Sequence, residues 1–268
     1  MEYFASIDIP IFEAFGQSEC SGPHTINSLT AWKIGSVGRP MPGTETKIDP
    51  KNGELLYSGR HIFAGYLNMN EKTEEAIDAD GFLRSGDIAT IDECLQDGKP
   101  GTGFIQITGR IKELIITAGG ENIPPVLIEE QMKRAMPSLS NCIVIGDNRK
   151  FLVVLFCLRV EIDEGTGLPT QKLTGEALGT SKKIGSSAST TNEVSECGKW
   201  KAYFDKGMKS ANDNATSRAQ NVGKWSLLPT DFSEPGGELT PTLKLKRNIV
   251  AEKYSLEIEE LYASILNS

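Results

Sequence analysis

Eight consecutive apolar residues, Phe151-Leu152-Val153-Val154-Leu155-Phe156-Cys157-Leu158, constrain this chain more than any other feature. An unbroken run of that kind has no polar face to offer water, and it is far short of the roughly 20 residues that a membrane-spanning helix needs. It predicts a buried strand. Around it the pattern predicts an amphipathic helix over Val126 to Met136, strands over Asn141 to Ile145 and Phe151 to Val160, and a closing helix with Tyr254, Ile258, Leu261 and Ile265 at helical spacing. This is a compact α+β unit.

Upstream the texture changes. A β-prone stretch, Ile9 to Phe15, runs into Gly16-Gln17-Ser18-Glu19, and glycine-punctuated short strands follow, Gly53 to Gly59 the clearest. One helix is expected from Glu71 to Ile77, capped by Asn70. Strands at Ile88 to Asp92 and Gly103 to Thr108 flank a Gly- and Asp-rich connection. The whole reads as a small barrel or layered β unit, with a domain boundary at Gly109 to Lys112. Within the second unit, residues 165–221 turn polar. They predict an inserted surface helical region with a mobile centre near Gly185 to Glu193 and helices at Gly198 to Ala211 and Thr216 to Lys224.

The chain has 268 residues, enough for two modest domains, and a formal net charge of -8. That charge argues against nucleic acid as a partner, because phosphate binding needs clustered Lys and Arg. Five scattered cysteines (Cys20, Cys94, Cys142, Cys157, Cys197) form no C-x-x-C pair, which suggests neither a disulfide scaffold nor a zinc site and fits a reducing, cytoplasmic setting. The acidic, weakly apolar start Met1 to Asp8 is not expected to be a secretory signal.

Several short segments bear chemistry. In Phe15-Gly16-Gln17-Ser18-Glu19, Phe15 offers an aromatic face for a purine, Ser18 a hydroxyl for phosphate and Glu19 a hard oxygen for magnesium. Alone, the same residues describe an ordinary structural turn. In Leu83-Arg84-Ser85-Gly86-Asp87 a carboxylate held after a glycine can accept hydrogen bonds from a ribose diol, although a plain Gly-Asp turn reads alike. Arg110 and Lys112 supply cations at the inferred boundary, or else a solvated basic turn. Gly119-Gly120, closed by Pro124-Pro125, lets a narrow ligand arm approach the backbone, or simply turns a strand into a helix. Lys244, Lys246 and Arg247 gather three cations on a loop bracketed by Gly236-Gly237 and Pro241.

Taken in order, these segments resemble the adenylate-forming enzyme superfamily over essentially the whole chain. The phrases Phe15-Gly16-Gln17-Ser18-Glu19, Gly109-Arg110-Ile111-Lys112-Glu113, Gly120-Glu121-Asn122-Ile123-Pro124-Pro125 and Leu239-Thr240-Pro241-Thr242-Leu243-Lys244-Leu245-Lys246-Arg247 look most like the bubblegum-type long-chain fatty acyl-CoA synthetases. The resemblance implies a mixed α/β and α+β fold: residues 1–108 as the β-rich end of the large AMP-binding domain, and 109–268 as a small mobile domain with its polar insertion at about 165–224. It implies ligation of a long-chain fatty acid to CoA through an acyl-adenylate, with ATP, CoA and Mg2+, and it leaves peripheral contact with an intracellular membrane open. By position, Phe15 would lie on adenine, Ser18 near phosphate, Glu19 on magnesium, Asp87 on the ribose and Arg110 on the nucleotide. Lys112 would be the hinge and Lys246 the adenylation lysine. The family commonly has glycine just before that lysine, where this chain has Leu245, so Lys244 stays an alternative. Either Gly119 or Gly120 would line the pantetheine tunnel. Nothing before Phe15 resembles the phosphate-cradling loop, so the expectation is a truncated chain of low solitary activity, or a catalytically inactive binding fragment.

Overall fold

A computed structural model describes residues 2–92 and 102–266, so Cys94 and most of the connection expected after Asp92 lie outside the described residues. The chain divides between Glu113 and Leu114 into two units.

The first unit starts with one helical turn, α1 (Glu2–Ala5), and an antiparallel sheet of β1 (Ala14–Gln17), β2 (Gly22–Ile26) and β3 (Arg39–Pro40). The strand expected from Ile9 begins only at Ala14, after Pro10, whose nitrogen has no hydrogen for a ladder. A second antiparallel sheet, in sequence order, holds β4 (Thr44–Ile48), β5 (Glu54–Gly59), β6 (Leu83–Asp92) and β7 (Phe104–Arg110). Two separate sheets make this a layered unit rather than a barrel. Between β5 and β6 lies α2 (Asn70–Ala76), in which Asn70 is the first helical residue and not the cap. Leu55, Tyr57, Leu83, Ala89 and Ile105 form the core, joined by Cys20 from the turn after β1.

β6 alternates in burial, which puts Leu83, Ser85, Asp87 and Ala89 on one inward face. The ladder to β5 slips there. Glu54 faces Ile88 while Leu56 faces Arg84, so Ser85-Gly86-Asp87 bulges out of register, with Gly86 at φ 73°. Glu54, itself buried, accepts the Gly86 N–H at 2.9 Å and fixes the bulge. β7 reaches Arg110, which pairs with Asp87, and this keeps Gly109 and Arg110 in the first unit.

The second unit opens with β8 (Ile115–Ile116) and β9 (Asn122–Ile123), a short ladder closed by the Gly119-Gly120 turn, and then α3 (Pro125–Ala135), with Pro125 at a helix start where its missing N–H costs nothing. β10 (Leu139–Ile145) runs antiparallel to β11 (Leu152–Leu158). The hairpin β12 (Val160–Ile162) and β13 (Pro169–Leu173) leads to helices α4 (Gly175–Lys183), α5 (Thr191–Ser195) and α6 (Gly198–Asn212). β14 (Val222–Leu227) then returns to pair parallel with β11. Helices α7 (Arg247–Lys253) and α8 (Ser255–Leu266) end the unit.

β11 is thus a central strand. Leu152, Val154, Phe156 and Leu158 pack with Met132, Met136, Trp200 and Phe204 on one side. Val153, Leu155 and Cys157 pack with Phe232, Val250, Tyr254 and Ile258 on the other. Cover on both faces is what its apolar run requires.

Two expectations for residues 165–224 are corrected. The helix expected from Thr216 to Lys224 is a short 3-10 turn, Arg218–Gln220, followed by β14. Nor is the segment a surface addition, since Leu173, Ala177, Trp200, Phe204 and Ala211 are core residues. Thr190 and Glu193 form a capping box at the start of α5, and Ser181 Oγ donates to the Ala188 carbonyl at 2.7 Å. The four cysteines among the described residues are free thiols.

Candidate functional site

In the first unit the expected residues gather around the β6 bulge. Asp87 is 5% exposed. Arg110 Nε donates to its Oδ1 at 3.1 Å, and the Gln17 amide approaches Oδ2 at 3.4 Å while donating to the Ser85 carbonyl at 2.6 Å. Gln17 is held in turn by Tyr57, whose hydroxyl donates to Gln17 Oε1 at 3.1 Å. Burial raises the Asp87 pKa above the usual carboxylate range, and Arg110 and Gln17 oppose that rise. The carboxylate keeps lone pairs for two further donors, as a ribose diol would need.

Glu19 sits on the 3-10 turn Ser18–Cys20, and Tyr66 Oη donates to its Oε1 at 2.7 Å. That bond raises the Tyr66 pKa. Gln17, Glu19, Tyr66, Asp87, Arg110 and Lys112 all line one open hollow of about 760 Å³. Among the described residues no group of three or more His, Cys, Asp or Glu side chains is placed to hold a metal. One carboxylate facing a water-accessible hollow nevertheless suits magnesium, which keeps several waters and takes its remaining ligands from substrate phosphates. Glu19 is the residue that would hold it.

Phe15 and Ser18 do not line that hollow. They border a neighbouring depression with Ala14, Gly22 and Pro23, and only Gln17 lines both. Phe15 stands edge-on to Tyr57 with ring centroids 6.3 Å apart, so one of its faces remains unstacked by that neighbour. Lys112 is exposed on the 3-10 turn Ile111–Glu113, immediately before the division of the chain.

The remaining expected residues belong to the second unit. Gly119 and Gly120 are exposed, and they differ in what they demand. Gly120 has φ 79°, where glycine is favoured; a Cβ on Gly119 would meet nothing closer than Thr117 Oγ1 at 3.8 Å. The lysine loop is a tight turn in which Thr240 N–H donates to the Lys244 carbonyl at 2.8 Å and Leu239 bridges Leu245. Lys244 is exposed on it. Lys246 is partly buried at the N-cap of α7, its N–H donating to the Glu238 carbonyl at 2.8 Å, and no ion pair ties its ammonium among the described residues.

Sequence reasoning did not single out Gln17, Glu54, Tyr66 or the buried Glu129. Gln17 lay inside a quoted motif, but only the fold reveals its two-sided hydrogen bonding. The other three lie far in sequence from the residues they hold.

Residues 1–67 match the family described as AMP-binding enzyme, and residues 112–265 match the AMP-binding enzyme C-terminal domain. The chain is 47% identical over 270 residues to long-chain-fatty-acid-CoA ligase ACSBG2 of Gallus gallus, with 98% of this chain and 34% of that protein covered. It is 42% identical over 267 residues to the Homo sapiens ACSBG2 ligase, covering 97% and 39%. It therefore spans little more than a third of the length of these curated relatives. Among solved structures, the adenylation domain of a Mycobacterium chelonae carboxylate reductase superposes with TM-score 0.64 at 19% identity, covering 98% of this chain and 36% of that one. O-succinylbenzoate coenzyme A synthetase from Bacillus subtilis, in complex with ATP and magnesium, does so with TM-score 0.57 at 20% identity, covering 92% and 42%. With a C-terminal-domain match over more than half its length, and with the Asp87 and Glu19 hollow in its first unit, the chain belongs to the AMP-binding enzyme family.

Proposed function

We propose that this chain supplies the nucleotide clamp and the mobile lysine of an AMP-forming long-chain fatty acid-CoA ligase, which converts ATP, fatty acid and CoA to acyl-CoA, AMP and diphosphate. The observation that carries the reading is the convergence of Asp87, Arg110, Gln17 and Glu19 on one hollow. Asp87 accepts the ribose hydroxyls, Arg110 holds the nucleotide from the same strand pair, and Phe15 and Ser18 meet adenine and phosphate across Gln17. Magnesium, when bound at Glu19, offsets charge on the phosphate oxygens.

Lys246 stabilises the negative charge that develops as the fatty-acid carboxylate displaces diphosphate from the α-phosphorus. Among the described residues no ion pair occupies its ammonium, which supports that role over a structural one. In the second half the CoA thiol displaces AMP, with Gly119 or Gly120 giving the pantetheine arm room. Lys112, exposed at the division of the chain, is the hinge that absorbs the dihedral change between halves. None of the helices among the described residues is long and apolar enough to cross a membrane. The acyl substrate is met by peripheral contact at an intracellular membrane.

The test joins this chain to the upstream region of the Gallus gallus relative and measures ATP-diphosphate exchange. Lys246→Ala should lower exchange about 100-fold or more, the scale of losing one transition-state donor, while Lys244→Ala stays near the parent. Normal exchange in Lys246→Ala would overturn the assignment. Calorimetry with AMP on the chain alone, against Asp87→Ala, tests the clamp, and identical heats would remove it.

A further inference from the structure

Gln17 stands between the core of the first unit and the β6 bulge. Its backbone is pinned where β1 ends, its N–H pointing at the Cys20 sulfur at 3.1 Å across the 3-10 turn. Its side chain is held at both ends. A primary amide has two N–H bonds to offer; here one goes to the Ser85 carbonyl at 2.6 Å and the other is turned toward Asp87 Oδ2 at 3.4 Å. At the opposite end the amide oxygen accepts from the Tyr57 hydroxyl at 3.1 Å.

Tyr57 does not line the nucleotide hollow. It is fully buried on β5, its ring stacked on His24 at 4.1 Å and edge-on to Phe15. Burial first, then the Cys20 thiol beside it, raises its pKa, so the phenol keeps its proton and stays a donor. An amide fits its slot in two orientations. Turned over, Gln17 would set its oxygen against the Ser85 carbonyl and the Asp87 carboxylate, acceptor against acceptor. A fixed donor on the core side removes that choice. With Arg110 on Oδ1 and Gln17 on Oδ2, the carboxylate is held at both oxygens, and each keeps a lone pair for one hydroxyl.

We infer that Tyr57 is a positioning residue for the ribose site: its hydroxyl sets the orientation of the Gln17 amide, and Gln17 sets the rotation of the Asp87 carboxylate, so that both hydroxyls of a diol are met at once. This rests on the reading of Asp87 as the ribose acceptor, and the experiment keeps the two apart. Calorimetry on the chain compares AMP with its dideoxy analogue, which lacks both ribose hydroxyls. Tyr57→Phe removes one oxygen and keeps the ring; it should weaken AMP about fivefold, the scale of one net hydrogen bond, and leave the dideoxy analogue unchanged. In a Gln17→Met background the same Tyr57→Phe change should add nothing, because the link it acts through is gone.

A second measurement needs no nucleotide. Arg110 and Gln17 lower the Asp87 pKa against burial and the nearby Glu113, so by carbon NMR the Asp87 carboxyl should titrate higher in Gln17→Met and in Tyr57→Phe than in the parent. An unchanged preference for AMP over the dideoxy analogue in Tyr57→Phe overturns the inference, and so does an unmoved Asp87 titration. Equal weakening of both nucleotides in step with melting temperature also overturns it, since that would mark Tyr57 as a structural residue only. If Asp87→Ala itself leaves the AMP heat unchanged, the reading of Asp87 fails and takes the inference with it. Loss of that heat in Asp87→Ala beside normal AMP binding in Tyr57→Phe removes the inference alone.

Discussion

Asp87 and Arg110 face each other directly across the β6–β7 ladder, and the same two residues form an ion pair at 3.1 Å. Strand register and charge pairing therefore hold the candidate ribose carboxylate together. The pair is unequal, because the Asp87 side chain is 7% exposed and that of Arg110 is 55% exposed.

Asp87→Asn is expected to stabilise the first unit at neutral pH while weakening nucleotide binding. Burial raises the folded pKa of Asp87 above its unfolded value, so its ionised form at pH 7 favours the unfolded chain. The stability tied to this group is present at low pH and lost as pH rises through the folded pKa. The amide removes that loss, and the half-exposed Arg110 stays solvated. AMP affinity should fall about tenfold or more, as hydrogen bonds to a charged acceptor are lost. Thermal melts at pH 4 and pH 7 beside AMP titrations check both halves.

His24 is expected to work in the opposite sense. It is fully buried, stacked on Tyr57 at 4.1 Å, with Nδ1 3.2 Å from His61 Nε2 and Nε2 2.9 Å from Thr46 Oγ1. Burial, with His61 beside it, lowers its pKa from 6.5 to about 4. Between those values the unfolded chain binds a proton that the folded chain refuses, so stability falls as pH falls. The loss should be about 3 kcal/mol, and His24→Gln should flatten that slope in urea melts taken from pH 7 to pH 4.

Much of the second unit was legible because its signals are local. The unbroken apolar run specifies β11, and helical spacing in the tail specifies α8, with Tyr254 just before it. β14 was not legible. Val222-Gly223-Lys224-Trp225-Ser226-Leu227 has neither clean alternation nor a continuous apolar run, and its partner β11 lies across the inserted helices. In the first unit Asp87 stood out beside a glycine, whereas Glu54, which holds the bulge, looks like any Gly-Glu turn. Tyr66 gives no sign in sequence that its hydroxyl reaches Glu19.

The two glycines of the β8–β9 turn should separate by substitution. Gly120→Ala places a Cβ at φ 79° and should cost about 1 kcal/mol of stability whatever the function. Gly119→Ala should melt like the parent, since its added Cβ would meet only Thr117 Oγ1, at an ordinary van der Waals distance of 3.8 Å. A loss of thioester formation in Gly119→Leu without a change in melting would assign the ligand contact to Gly119. The measurement pairs thermal melts with CoA-dependent turnover of the joined protein.

Trp200 should report on the inserted helices. It is fully buried against Phe204 and Tyr203, and its indole Nε1 has no hydrogen-bond partner among the described residues. Trp200→Ala should cost about 3–5 kcal/mol in urea melts. Trp200→Phe should cost far less, because losing the unsatisfied N–H recovers about 1–3 kcal/mol against the smaller cavity.

The parallel pairing of β14 with β11 carries a consequence for how the chain matures. Until residue 227 has emerged and docked, β11 presents an unpaired hydrogen-bonding edge lined by seven apolar side chains. The helices between them act as a timer on synthesis, and every residue in that stretch lengthens the interval in which a nascent chain can capture a neighbour's strand instead of its own.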